Sequence, residues 1–122
     1  MKRRYTGPAA RTLDALRERC DLRCERCAIP FFGTNAGDPH HRRPRGMGGS
    51  KDNGTNRLAN LVALCRRCHD DIESNRARAL VEGWLVPQGK DPAKVPVWSR
   101  LHGGWVLLSD DGSITPATGG AV

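Results

Sequence analysis

Aromatic side chains are scarce in this sequence: three tryptophans, two phenylalanines and one tyrosine among 122 residues. Hydrophobic residues reach only 38%, a low share for a self-sufficient globule. A domain this small therefore needs a source of stability beyond apolar burial, and a bound metal fits that need. Acidic residues are also in deficit. Thirteen Asp and Glu face twenty Lys and Arg, a formal charge of +7, which favours a polyanionic partner such as nucleic acid or an anionic surface. No apolar run approaches the roughly twenty residues of a membrane span, and no signal-peptide core follows Met1, Lys2, Arg3 and Arg4. The expectation is a soluble, cytoplasmic, single-domain protein with no membrane partner.

Cysteine is present, but in an odd number: five, which excludes a fully paired disulfide framework. Four of them form two Cys-X-X-Cys pairs, Cys24 with Cys27 and Cys65 with Cys68. Two such pairs, far enough apart to converge, are the pattern of a tetrahedral structural Zn2+ site. A redox dithiol is the rival reading, disfavoured because no βαβ pattern surrounds either pair. Cys20 shares a helix face with Leu13 and Leu16 and reads as a buried, inert thiol.

Periodicity divides the chain into three parts. Residues 1–23 form a basic arm (Met1 to Gly7) and a helix over 9–20. Residues 24–83 begin with the first knuckle. A Gly-, Pro- and Asn-rich stretch over 28–56 follows, with a strand candidate at 38–42. A buried strand at 61–64 then leads into one helix over 67–81, with Ile72, Ala79 and Leu80 as core contacts and Gly83 as its stop. Residues 84–122 hold strands at 95–98 and 105–108, a hairpin turn in "SDDGSIT", and a disordered tail from Pro116. Trp84, Trp98 and Trp105 read as the core of this small β element.

The stretches "CERC", "HHRRPRGMGGS" and "NLVALCRRCHDDIE" resemble the His-Asn-His (HNH) endonucleases, in particular the small zinc-knuckle members common in bacteriophages of actinobacteria. The likeness covers Cys24 to about Asn75. "EGWLVPQGKDPAKVPVW" is similar to tails of the same group. The resemblance implies an α+β fold: a ββα-metal core with a four-cysteine zinc knuckle, an N-terminal helix and a small C-terminal β element. It also implies DNA as substrate and a DNA-packaging protein such as a terminase subunit as partner, and leaves the oligomeric state open.

The family's motif maps onto His40 and His41, Asn60, and His69. By resemblance, His41 is the general base that takes a proton from water, and an unperturbed pKa near 6.5 suits that task. His40, His69 and Glu73 would hold one divalent ion, the last two sharing a helix face four residues apart. Asn60 would pin the loop after the first strand. Many relatives carry His where this chain has Glu73, and a carboxylate favours Mg2+ or Mn2+. Arg42, Arg43 and Arg45 follow the catalytic pair and read as contacts to DNA phosphates, with Arg57, Arg66 and Arg67 extending the patch. Asp70 and Asp71 read as surface residues. Two other readings use the same residues: a zinc-knuckle binding module without catalysis, and an accessory subunit active only with a partner.

Overall fold

A computed structural model describes residues 7–31, 37–44 and 53–118. Among these residues lie three α-helices, a two-stranded sheet and a three-stranded sheet, both antiparallel, so the mixed α+β architecture is present. The N-terminal basic arm up to Thr6 and Arg45 lie outside the described residues.

Helix α1 (Ala10–Cys20) buries Leu16 and Cys20. It ends where Asp21 and Leu22 both take left-handed backbone angles, φ 53° and 55°. The reversal sends the chain into the first knuckle, where Cys24 N donates to Ile29 O and Ala28 N donates back to Cys24 O, both at 2.8 Å.

Strand β1 (Asp38–His41) pairs with β2 (Leu61–Leu64) in the register His40 to Val62 and His41 to Leu61. Successive side chains of a strand point to opposite faces, and β2 uses both. Leu61 and Ala63 pack with Leu16, Cys20 and Leu58. Val62 and Leu64 pack with Cys68, Ile72, Ala79, Trp84 and the C-terminal residues Val97, Val106 and Leu108. A continuous apolar run, rather than an alternating one, is what a strand buried on both sides requires.

The single helix expected over 67–81 is two: α2 (Arg66–Ser74) and α3 (Arg76–Glu82). Asn75, at φ −131° and ψ 58°, breaks it. Its side-chain amide donates to both the carbonyl and the carboxylate of Asp71, an alternative to the helical ladder that asparagine offers readily. The break turns Leu80 outward, against its expected core position, while Ile72 and Ala79 are buried. Gly83 ends α3 at φ 84°. A Cβ there would stand 2.0 Å from the carbonyl oxygen of Pro96, so glycine is required by both conformation and space.

The second sheet comprises β3 (Val97–Ser99), β4 (Gly104–Leu108) and β5 (Ile114–Pro116). The hairpin turn lies at "SDDGS" as its residues predict: Asp111 accepts from both the amide and the hydroxyl of Ser113. The third strand takes up the start of the expected tail. Trp84 is core, at 1% exposure, whereas Trp98 is 43% exposed and pairs across the strands with Trp105. Those two indoles occupy the outward face of the sheet, because the inward face is already filled by Val97, Val106 and Leu108.

Two buried arginines join these parts. Arg19 donates Nε and Nη2 to the Glu25 carboxylate at 3.0 and 2.7 Å, and further donates to Leu58 O and Leu61 O. Glu25 also receives the amide of Ala63 and lies 2.7 Å from His102 Nε2. Burial alone would raise the Glu25 carboxyl, but the hydrogen bonds from His102 and Arg19 outweigh it and hold the group below the usual carboxylate range. The cluster ties helix α1, the first knuckle and the turn after β3 together.

Arg42 is the other strut. At 0% exposure it donates Nε to Gly83 O, Nη1 to Ala59 O and Pro92 O, and Nη2 to Val95 O, all at 2.8–3.0 Å. Burial lowers its pKa, yet a guanidinium stays protonated at neutral pH. The expected contact between Arg42 and DNA phosphate is therefore corrected: its donors are turned inward and spent on carbonyls.

Candidate active site and metal centres

Strand β2 delivers the chain to Cys65, the residue just before α2, and the helix then presents Cys68 and His69 on its first turn and Glu73 one turn later. Cys65 and Cys68 meet Cys24 and Cys27 of the first knuckle, with the four sulfurs within 4.8 Å of one another. Packed this closely, the thiols share their protons unevenly. A hydrogen bond with Cys68 holds the Cys24 thiol down to about 4, while Cys68 itself is pushed up. Four convergent sulfurs can hold one metal ion, and the soft donor set fits a tetrahedral thiophilic one. Cys20 stands apart, its sulfur 3.6 Å from the carbonyl of Arg17 in its own helix.

The second cluster shares helix α2 with the first, His69 following directly on Cys68. His40 on β1 meets His69 edge to face, with ring centroids 5.4 Å apart and planes at 88°. The ligand atoms of His40, His69 and Glu73 all lie within 4.8 Å of one another. His40 Nε2 and His69 Nδ1 are buried nitrogens without a hydrogen-bond partner among the described residues. Orphaned buried polar atoms are costly and call for an explanation, and a cation between the rings supplies one. Burial, reinforced by the neighbouring His69, pulls the pKa of His40 down to about 4, which keeps its lone pair free for a metal at neutral pH. Glu73 is exposed and accepts from Arg76 at 2.9 Å, so that contact has to open or share for the carboxylate to join the ion.

The His40 shift makes a stability prediction. The unfolded chain protonates near 6.5 and the folded one near 4, so protons bind the unfolded state first and stability falls as pH drops through that window. Without added divalent ion, the melting temperature is expected to fall between pH 7 and pH 5, and to fall less in His40→Asn. Equal falls in the two proteins would count against a buried neutral His40.

His41 follows His40 on β1 and is half-buried, with Nε2 2.9 Å from Asn56 Oδ1. Asn60 is fully buried. Its Oδ1 accepts from Arg43 N at 2.7 Å, and its Nδ2 donates to Arg43 O and Thr55 O. The amide thus binds the segment leaving β1 to the turn that precedes β2, which fixes where His41 stands. Asn56 escaped the sequence reading because it sits in "NGTN", where asparagine is an ordinary turn residue.

The basic residues divide. Arg43 is partly exposed and donates to Lys90 O. Arg57 is engaged by Asp91 and Asp110. Arg66 and Arg67 are exposed on the first turn of α2. Asp70 is a surface residue, but Asp71 is not idle: it pairs with Arg26 beside the knuckle and with Arg78 on α3.

Residues 24–75, which hold both clusters together with His41 and Asn60, match the family model HNH endonuclease. The segment is an HNH domain. No curated protein and no solved structure matches the chain. HNH domains belong to nucleases that act on DNA with divalent metal ions, and here the domain carries the β1, β2 and α2 elements with four cysteines beside them. No described helix is long and apolar enough to cross a membrane.

Proposed function

We propose that the protein is a metal-dependent DNA endonuclease hydrolysing phosphodiester bonds. The observation that carries this reading is the convergence of two orphaned buried imidazole nitrogens, on His40 and His69, with Glu73, one residue away from His41. His40, His69 and Glu73 would hold a Mg2+ or Mn2+ ion, and Cys24, Cys27, Cys65 and Cys68 a structural Zn2+. When bound, the divalent ion supplies charge stabilisation to the phosphate and the leaving oxygen. His41 receives the proton of the attacking water as the new P–O bond forms and the bond to the leaving sugar oxygen breaks. Asn60 keeps His41 in position without touching substrate. Arg43, Arg45, Arg66 and Arg67 would meet phosphates.

Nothing in the described surface suggests base reading, so binding should be electrostatic and weaken steeply with salt. By the sequence resemblance to small HNH proteins of actinobacterial phages, the setting would be a host-cell cytoplasm and the partner a terminase subunit.

Conversion of supercoiled plasmid tests the core of this reading. Wild-type protein is expected to cleave with Mg2+ or Mn2+ and not with EDTA. His41→Ala is expected to lose roughly 100- to 10,000-fold in rate while keeping its zinc and its melting temperature. Full activity in His41→Ala would remove the assignment of the base. No cleavage by wild type under any metal would favour the non-catalytic binding module.

A further inference from the structure

Asn56 lies outside the three motif positions and belongs to neither metal cluster. It ends the 3₁₀ turn Asn53–Asn56, and that turn is held from several sides. Thr55 is buried and its carbonyl accepts from Asn60 Nδ2 at 2.8 Å. Arg57 N donates to Gly54 O, and the Arg57 side chain is tied to Asp110 and Asp91. The Asn56 amide oxygen is thus presented to His41 Nε2 at 2.9 Å by a turn tied down at Thr55 and Arg57.

An amide oxygen can only accept, so the nitrogen it faces must carry the hydrogen. A neutral imidazole with its hydrogen on Nε2 has its lone pair on Nδ1. The geometry assigns Asn56 as the positioning residue of His41, holding the imidazole in the Nε2-protonated tautomer and leaving Nδ1 to receive the proton of water; its catalytic consequence rests on the nuclease reading above. When the water proton arrives at Nδ1 the ring becomes an imidazolium. Its Nε2–H then donates to Asn56 Oδ1 in a charge-assisted bond, stronger than the neutral one. Fixing which nitrogen carries the hydrogen is also the part played by the carboxylate behind the histidine in a serine-hydrolase triad.

The test separates tautomer from rate. In protein labelled with 15N histidine and carrying its zinc, the His41 ring nitrogens are read by long-range 15N–1H correlation in wild type, Asn56→Ala and Asn56→Asp, and plasmid cleavage is measured on the same samples. The expected result is a protonated Nε2 in wild type and in Asn56→Asp, which keeps an acceptor oxygen, and a mixed tautomer in Asn56→Ala. With it, kcat in Asn56→Ala should drop roughly 10- to 100-fold, as for other residues that orient a site, with little change in KM and with recovery in Asn56→Asp. A proton found on Nδ1 in wild type overturns the assignment, as does an unchanged tautomer in Asn56→Ala. A tautomer that shifts while kcat holds overturns the positioning role. If wild type shows the Nε2-protonated ring, lost in Asn56→Ala, yet cleaves nothing, the tautomer assignment is supported and the nuclease reading is what fails.

Discussion

Replacing Arg42 by methionine is expected to destabilise the protein by at least about 3 kcal/mol, because truncation leaves buried acceptors without a donor at about 1–3 kcal/mol each, not fully additive. Four carbonyls lose their partner at once: Gly83, Ala59, Pro92 and Val95. The opposing effect is relief from burying a cation. Replacing buried charges by apolar groups is sometimes neutral or stabilising, but in the pairs where this holds both charges leave together. Here the acceptors are backbone groups and stay behind. For a chain of this length the loss corresponds to a melting temperature lower by roughly 10–20 °C. Arg42→Lys should recover only a small part, since an ammonium has three donors and lacks the planar fork. Thermal melts of the three proteins decide it, and a methionine variant as stable as wild type would show that the strut contributes nothing. Salt titrations of DNA binding add a second reading: a residue touching phosphate would lower the slope by about 0.9 when removed, whereas the Arg42 variants, if folded at low temperature, should keep it.

If the four sulfurs hold the zinc proposed for them, the effect of its loss is expected to be larger still. Structural zinc contributes an apparent 10–16 kcal/mol in small domains, as much as or more than the whole stability of an ordinary domain, about 5–15 kcal/mol. The four sulfurs fasten the knuckle after α1 to the start of α2, and α2 also carries His69 and Glu73. Cys68→Ser, or a strong chelator, should therefore abolish cooperative unfolding and scramble the second cluster with the first. Cys20→Ser is the matched control, since Cys20 is equally buried but lies outside the four-sulfur cluster; it should retain one metal ion per chain and a cooperative melt. Metal analysis with far-UV circular dichroism reads both, and a Cys68→Ser protein that still melts cooperatively without zinc would refute a structural role for the site.

The parts of the structure legible in the sequence are those where local chemistry and tertiary role coincide. The spacing of Cys24, Cys27, Cys65 and Cys68 admits few interpretations, and the apolar run Leu61 to Leu64 is what a doubly buried strand looks like. His40, His69 and Glu73 could be grouped because α2 repeats every three to four residues and because motif spacing related them to β1. The failures share a cause. In "HHRRPR" Arg42 looks like any other solvated arginine; its burial depends on four carbonyls 17 to 53 positions away, which no local pattern announces. Glu25 and His102 find each other across 77 positions for the same reason. Asn75 breaks a helix that periodicity carries straight through, since a capping side chain competes with the ladder only once Asp71 is placed beside it. Trp98 looks like core by residue type, yet strand alternation turns it to the outside.

The strut also sets a clock. Arg42 leaves the ribosome well before its acceptors Pro92 and Val95, the latter 53 residues downstream. At synthesis rates of about 5–20 residues per second, that interval is several seconds. Through it the guanidinium lacks two of its four acceptors. All four cysteines of the cluster are present once Cys68 has emerged, whereas the full acceptor set of Arg42 is present only with Val95.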